Sequence, residues 1–175
     1  MTLWTAADAA AAPLGGGGSG AAAGSDKDKK GKGKGKRGRG MLFENRSDFD
    51  GRGVLILGPS GAGKSGLALQ LMALGARLVA DDRTRLNPRA GRLIARAPSA
   101  IAGRIEARGL GILAADALQE APVTLIVDPG QTETDRLPPE RRLILLGCTV
   151  PLCHGSSSGH FPAAIVQYLR AGRIA

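Results

Sequence analysis

The sequence predicts an α/β domain with a mostly parallel central sheet and flanking helices. Three observations predict it. Short continuous apolar runs recur at residues 54–57 (VLIL), 123–127 (VTLIV) and 143–146 (LILL), each of strand length and without polar alternation. Stretches with apolar residues at helical spacing come after the first run and at the end of the chain. A glycine-rich loop joins the first run to the first helical stretch, which is the order of an α/β unit.

Each element has its own signal along the chain. Residues 54–57 form a buried strand that leads into GPSGAGKS, residues 58–65. Residues 65–74 (SGLALQLMAL) form a helix that stops at Gly75, a helix-terminating glycine. Residues 77–80 (RLVA) are a short strand ending in Asp81 and Asp82. Residues 83–95 read as a hairpin turning at NPRAG. Residues 105–108 are short and extended, 123–127 and 143–146 are further buried strands, and 161–169 is a closing helix.

The bulk numbers fit one domain. The chain has 175 residues, enough for one sizeable core, and 43% of them are hydrophobic. Only 3% are aromatic, so the core is aliphatic and base stacking on nucleic acid is poorly provided for. Residues 1–40 hold eight Lys or Arg against three Asp, a balance of +5 out of the total of +9. They alternate glycine with lysine after an alanine run, and are expected to be a disordered Ala/Gly/Lys-rich tail ahead of a domain at 41–175. The remainder is mildly basic, as a phosphate-handling domain can be, and a nucleic-acid partner does not follow from it.

Cys148 and Cys153 form neither a CxxC motif nor a zinc set and are expected to be idle thiols. No apolar run approaches the ~20 residues of a membrane span. The start MTLWTAADAAAAPL lacks a basic region before its apolar part, so no secretory signal is expected and the expected location is cytoplasmic.

The chemistry starts at Gly58, Pro59, Ser60, Gly61, Ala62, Gly63, Lys64 and Ser65. They fit G-x-x-x-x-G-K-[ST] in full, with a strand before and a helix after. Glycines let backbone N–H groups turn in around phosphate oxygens, and the helix start adds the positive end of its dipole. Lys64 is expected to reach the β- and γ-phosphates of ATP, and the Ser65 hydroxyl to coordinate Mg²⁺. Beyond residue 40 the chain has fifteen arginines and a single lysine, Lys64. A flexible ammonium does in that loop what a planar guanidinium cannot.

The residues alone leave the carboxylate supply open. Asp128 ends VTLIVD as a Walker B aspartate would, and Asp81 with Asp82 ends another strand. Glu106 and Arg108 lie two apart on an extended segment, so they point the same way, as a metal–phosphate site or a surface ion pair.

Taken together, GVLILGPSGAGKSGLALQL, RLVADD and IEARGLGIL resemble HPr kinase/phosphorylase, in its short form with the kinase domain alone. The resemblance covers residues 53–146. It implies a P-loop domain akin to phosphoenolpyruvate carboxykinase, usually hexameric. It also implies ATP-dependent phosphorylation of a serine on the phosphotransferase-system carrier HPr, and phosphorolysis of phosphoserine-HPr. By position, the resemblance makes Asp81 the general base, puts Glu106 with Ser65 on Mg²⁺, and makes Arg136 the arginine that stabilises charge on the phosphoryl group. Asp82 and Arg108 support them, and Asp128 becomes an ordinary strand-end residue.

Three departures from the family pattern stand out. Residues 42–50 hold no histidine where the family has one, Gly66 comes after the P-loop serine where an acid is common, and residues 151–161 lack the basic side chains tied to phosphorolysis. The reading is therefore a protein-serine kinase whose forward reaction exceeds phosphorolysis. Its rivals are a small-molecule P-loop kinase or ATPase using Asp128, and a nucleotide-binding regulator without catalysis.

Overall fold

A computed structural model describes residues 37–43, 51–81 and 83–174. Its elements are β1 (Arg37–Phe43), β2 (Gly53–Gly58), α1 (Lys64–Ala73), β3 (Ala76–Ala80), β4 (Arg85–Arg89), β5 (Arg92–Arg96), β6 (Arg104–Ala107), β7 (Gly111–Ala114), β8 (Glu120–Thr132), β9 (Arg141–Leu145), β10 (Cys148–Gly155) and α2 (Phe161–Ala171).

The sheet is mixed rather than mostly parallel. Its main path runs β3-β1-β2-β8-β10-β9, with β4 and β5 attached through β8. Among the described strands, β2–β8 and β8–β10 pair in parallel, whereas β1 is antiparallel to both β2 and β3, and β9 is antiparallel to β10. The difference traces to strands with weak sequence signatures. The strand β1 (RGRGMLF) begins inside the glycine- and lysine-rich run, so it crosses the boundary expected at residue 41. The rest of the expected tail, residues 1–36, lies outside the described residues. The strand β10 (CTVPLCHG) contains a proline, which has no N–H to give a ladder. Pro151 is tolerated because it pairs only with Arg142 of β9, and the parallel pairing with β8 starts one residue later at Leu152.

The two faces of the sheet are covered differently. On one, α1 and α2 pack Leu67, Ala68, Leu71, Ile165, Val166 and Leu169 over Val54, Ile56, Leu125 and Val127. Both helices bury residues at i, i+3, i+4 and i+7, the spacing of a single apolar stripe. On the other, Leu55, Leu57, Val79 and Ile126 pack with Leu93 and Ala95 of the β4–β5 hairpin. The flanking helices expected from the sequence thus lie on one face, and a hairpin covers the other. That hairpin turns through Ala90 and Gly91, both at positive φ, where a two-residue loop matches the strand twist.

A bulge in β8 shifts which of its residues meet each face. Gly53 pairs with Val123 but Val54 pairs with Leu125, so Thr124 is an inserted residue. Its hydroxyl donates to Gly53 O at 3.1 Å. No helix among the described residues is long and apolar enough to cross a membrane.

Candidate active site

The site lies at the carboxyl ends of the parallel strands, where open α/β sheets bind ligands. β2 ends at Gly58, and the loop to α1 takes positive φ at Gly58, Gly61 and Gly63. Glycines in such conformations let backbone N–H groups line an anion-binding concavity. Lys64 is 6% exposed, and its Nζ donates to Gly58 O at 2.9 Å and Pro59 O at 2.6 Å. The ammonium thus stands over the loop. Pro59, Ser60, Gly61 and Gly63 are exposed, while Ala62 and Ser65 are half-buried.

β3 ends beside the same site. Because β1 is antiparallel to both neighbours, β2 and β3 point the same way and finish at the same sheet edge. Asp81 comes directly after β3 and is 8% exposed. Its Oδ2 accepts a hydrogen bond from the Glu106 backbone N–H at 3.0 Å. On β6, Ile105 and Ala107 are buried while Glu106 is exposed, and Arg108 after the strand is exposed as well. The alternation expected for Glu106 and Arg108 is therefore observed. Asp82 lies outside the described residues.

Asp128 differs from an ordinary strand end. It is 5% exposed on the parallel neighbour of the P-loop strand. Its Oδ1 lies 3.1 Å from where a Cβ would stand on Gly58, and it accepts from the Gly130 N–H at 3.0 Å. A Cβ on Gly130 would also meet the Pro59 ring at 2.8 Å, so the end of β8 is packed directly on the P-loop. Sequence reading found Asp128 but not this packing, which depends on glycines with no chemical signature of their own.

Arg136 is exposed between β8 and β9 and lines a cavity of about 360 Å³ with Arg141, Arg142, His154, Tyr168 and Arg173. A second cavity, of about 470 Å³, opens beside the P-loop. The two share Ser156 and Phe161, and Arg136 lines the first and not the second. Residues 151–161 thus lack Lys and Arg in sequence but have arginines from other elements beside them. Glu133 and Glu140 pair with Arg141 and Arg142. The Cys153 thiol, also at this cavity, is pushed up by burial, and Cys148 is buried, as idle thiols would be.

Comparison with known proteins matches the stretch that holds the P-loop, Asp81 and Glu106. A family profile described as HPr Serine kinase C-terminal domain matches residues 43–121. The HPr kinase/phosphorylase of Clostridium beijerinckii is 48% identical over 66 residues, which are 38% of this chain and 22% of that protein. The HPr kinase/phosphorylase of Clostridium tetani matches with the same identity and coverage. A solved structure, the Hpr(Ser) kinase/phosphatase from Coxiella burnetii, superposes with a TM-score of 0.61 at 30% identity, covering 78% of this chain and 95% of that one. The chain belongs to the HPr serine kinase family. Its match spans about a fifth of the clostridial relatives' length, 22% in each case. The family profile ends at residue 121, so in this HPr kinase family member Asp128, Arg136 and the cavity that Arg136 lines lie beyond it.

Proposed function

We propose that this chain is an ATP-dependent protein-serine kinase whose acceptor is an HPr-type phosphocarrier protein. The observation that carries the reading is the meeting of a complete P-loop with Asp81 and the Glu106 segment at one sheet edge. The likeness to the Coxiella burnetii protein supports it.

In this reading the N–H groups of the P-loop and the Lys64 ammonium hold the phosphate chain of ATP. Asp81 takes the proton of the acceptor serine. The serine oxygen bonds to the γ-phosphorus, the bond to the β–γ bridging oxygen breaks, and ADP leaves. The N–H of Glu106 donates to one Asp81 oxygen and so orients the carboxylate. Arg136 takes the family role of offsetting phosphoryl charge from the adjoining cavity.

Mg²⁺ fits the donor set. The candidate donors are oxygens, the Ser65 hydroxyl and the Glu106 carboxylate, and Mg²⁺ takes one or two carboxylates together with substrate phosphates. Ser65 and Glu106 would hold the ion together with the phosphates of bound ATP. When bound, the ion neutralises charge on the β- and γ-phosphates.

The finer parts of the reading are a phosphoenolpyruvate carboxykinase-like P-loop fold, a homo-oligomer, hexameric as in the family, and a cytoplasmic location. Phosphorolysis must hold a free phosphate beside an anionic phosphoserine. Arg141 and Arg142 are already paired, so the kinase direction exceeds it. The test is to incubate the purified chain with ATP, Mg²⁺ and HPr, and to monitor phosphoserine by mass spectrometry. Absence of phosphoserine, with ATP bound, would refute the HPr reading.

A further inference from the structure

The cavity of about 470 Å³ beside the P-loop has a direction. Gly63, Gly66, Leu67 and Gln70 form one wall of it. These positions recur at helical spacing, so the cavity runs from the P-loop along one side of α1. Neither Lys64 nor Asp81, Glu106 or Asp128 lines it. It therefore leads away from the groups that would meet the reacting phosphate. Its volume falls in the range of about 300–1,000 Å³ usual for small-ligand sites.

The opposite wall is the segment between β10 and α2. It supplies the hydroxyls of Ser156, Ser157 and Ser158, and the half-buried ring of Phe161 at the start of α2. Phe161 packs partly against the buried cluster that contains Leu67 and Ile165, which fixes the ring from one side. Gly66 leaves the α1 wall bare, since a Cβ there would meet nothing within 4 Å.

We propose that this cavity is the nucleoside subsite, with Phe161 as the stacking platform for the base and the serine hydroxyls as partners for its polar edge or the sugar. The proposal rests on the reading of Gly58 to Ser65 as the phosphate site. A nucleotide carries its nucleoside at the end of the phosphate chain opposite the reacting phosphate. An aromatic face beside hydroxyls suits a flat, polar-edged base.

Titration calorimetry of the full chain in Mg²⁺, with ATP and with inorganic tripolyphosphate, tests it. The unaltered chain should bind ATP more tightly than tripolyphosphate. Phe161→Ala should weaken ATP binding about tenfold or more, as loss of a stacked base does, and leave tripolyphosphate binding unchanged. Gly66→Gln keeps a good helix former on an open helix face and fills the cavity, so it should have the same selective effect whether or not Phe161→Ala folds well. Phe161→Tyr should retain ATP binding. If tripolyphosphate binds the unaltered chain as tightly as ATP, the subsite does not exist while the phosphate site stands. Equal losses for both ligands in Gly66→Gln would also overturn the proposal. If neither ligand binds the unaltered chain, the phosphate reading and this proposal fail together.

Discussion

The backbone N–H of Glu106 donates to Asp81 Oδ2 at 3.0 Å, across 25 residues of sequence. The bond ties the end of β3 to β6, so the candidate base is held by the backbone that presents the candidate metal carboxylate. Buried Ile105 and Ala107 anchor the strand that presents Glu106.

Asp81→Asn isolates the chemistry at this junction. An asparagine oxygen can still accept from Glu106, so the fold and the ATP affinity should persist. A neutral amide cannot take the serine proton, and phosphorylation of HPr should fall by about 10²–10⁴-fold. Rates of phosphoserine formation at saturating ATP, beside an ATP titration, check both halves. An undiminished rate would remove Asp81 from the mechanism.

Two substitutions probe the P-loop from opposite sides. Lys64→Ala removes charge-assisted hydrogen bonds to phosphate, each worth about 1.5–3 kcal/mol, and ATP affinity should drop by about 10²-fold. Gly130→Ala touches no phosphate, yet its methyl would press on Pro59, and it should weaken ATP binding by displacing the loop. Calorimetry reads both. Unchanged affinity in the lysine variant would sink the nucleotide reading.

Deletion of the N-terminal residues separates two boundaries. Residues Arg37 to Gly40 pair with Gly58, Leu57, Ile56 and Leu55. A chain starting at residue 36 should melt like the full chain. One starting at Met41, the boundary read from sequence, loses four paired residues of an interior strand and should melt lower by about 5 °C. Equal melting temperatures for the two would count against the pairing.

Glu133 gives a pH dependence. Hydrogen bonding from the Asp135 N–H, and then from Arg141, holds its carboxyl below the ordinary value of 4.5. A depressed folded value contributes stability that is fully present above about pH 4.5 and lost as pH falls through the folded value. Glu133→Gln should therefore lower the melting temperature above pH 5 and converge with the unaltered chain in more acid solution. Melting curves from pH 3 to 7 would show a constant gap if the interaction did not matter.

The sequence made the P-loop, its flanking strand and helix, and the β4–β5 hairpin legible, because each carries a period or a turn signal of its own. It named Asp81, Glu106 and Asp128, because charged residues at strand ends are visible in a string. Hidden were β1, β7 and β10, whose Gly, Pro and Arg content obscures a strand, and with them the mixed sheet. The packing of Asp128 on Gly58 was also hidden, since it depends on two neighbouring strands being brought into register by distant contacts. Arg136 illustrates the converse. Its motif is visible, but its cavity is assembled from β9, β10 and α2, which no local pattern foretells.

The inserted Thr124 in β8 has a bearing on how this chain can change over generations. Side chains alternate along a strand, so the extra residue decides that Leu125 and Val127 face the helices and Ile126 the hairpin. Loss of the Thr124 codon would heal the bulge, with Val123 still opposite Gly53 and Leu125 still opposite Val54. Loss of a codon beyond it, in the regular run 125–127, would instead make the side chains that come after exchange faces and would move Asp128 away from Gly58. Replacement of Thr124 is mild by comparison, because the geometry depends on the residue count and not on its hydroxyl alone. The strand thus has one position where a residue can be lost without a slip, and beyond it a run where the residue count sets which face each side chain meets.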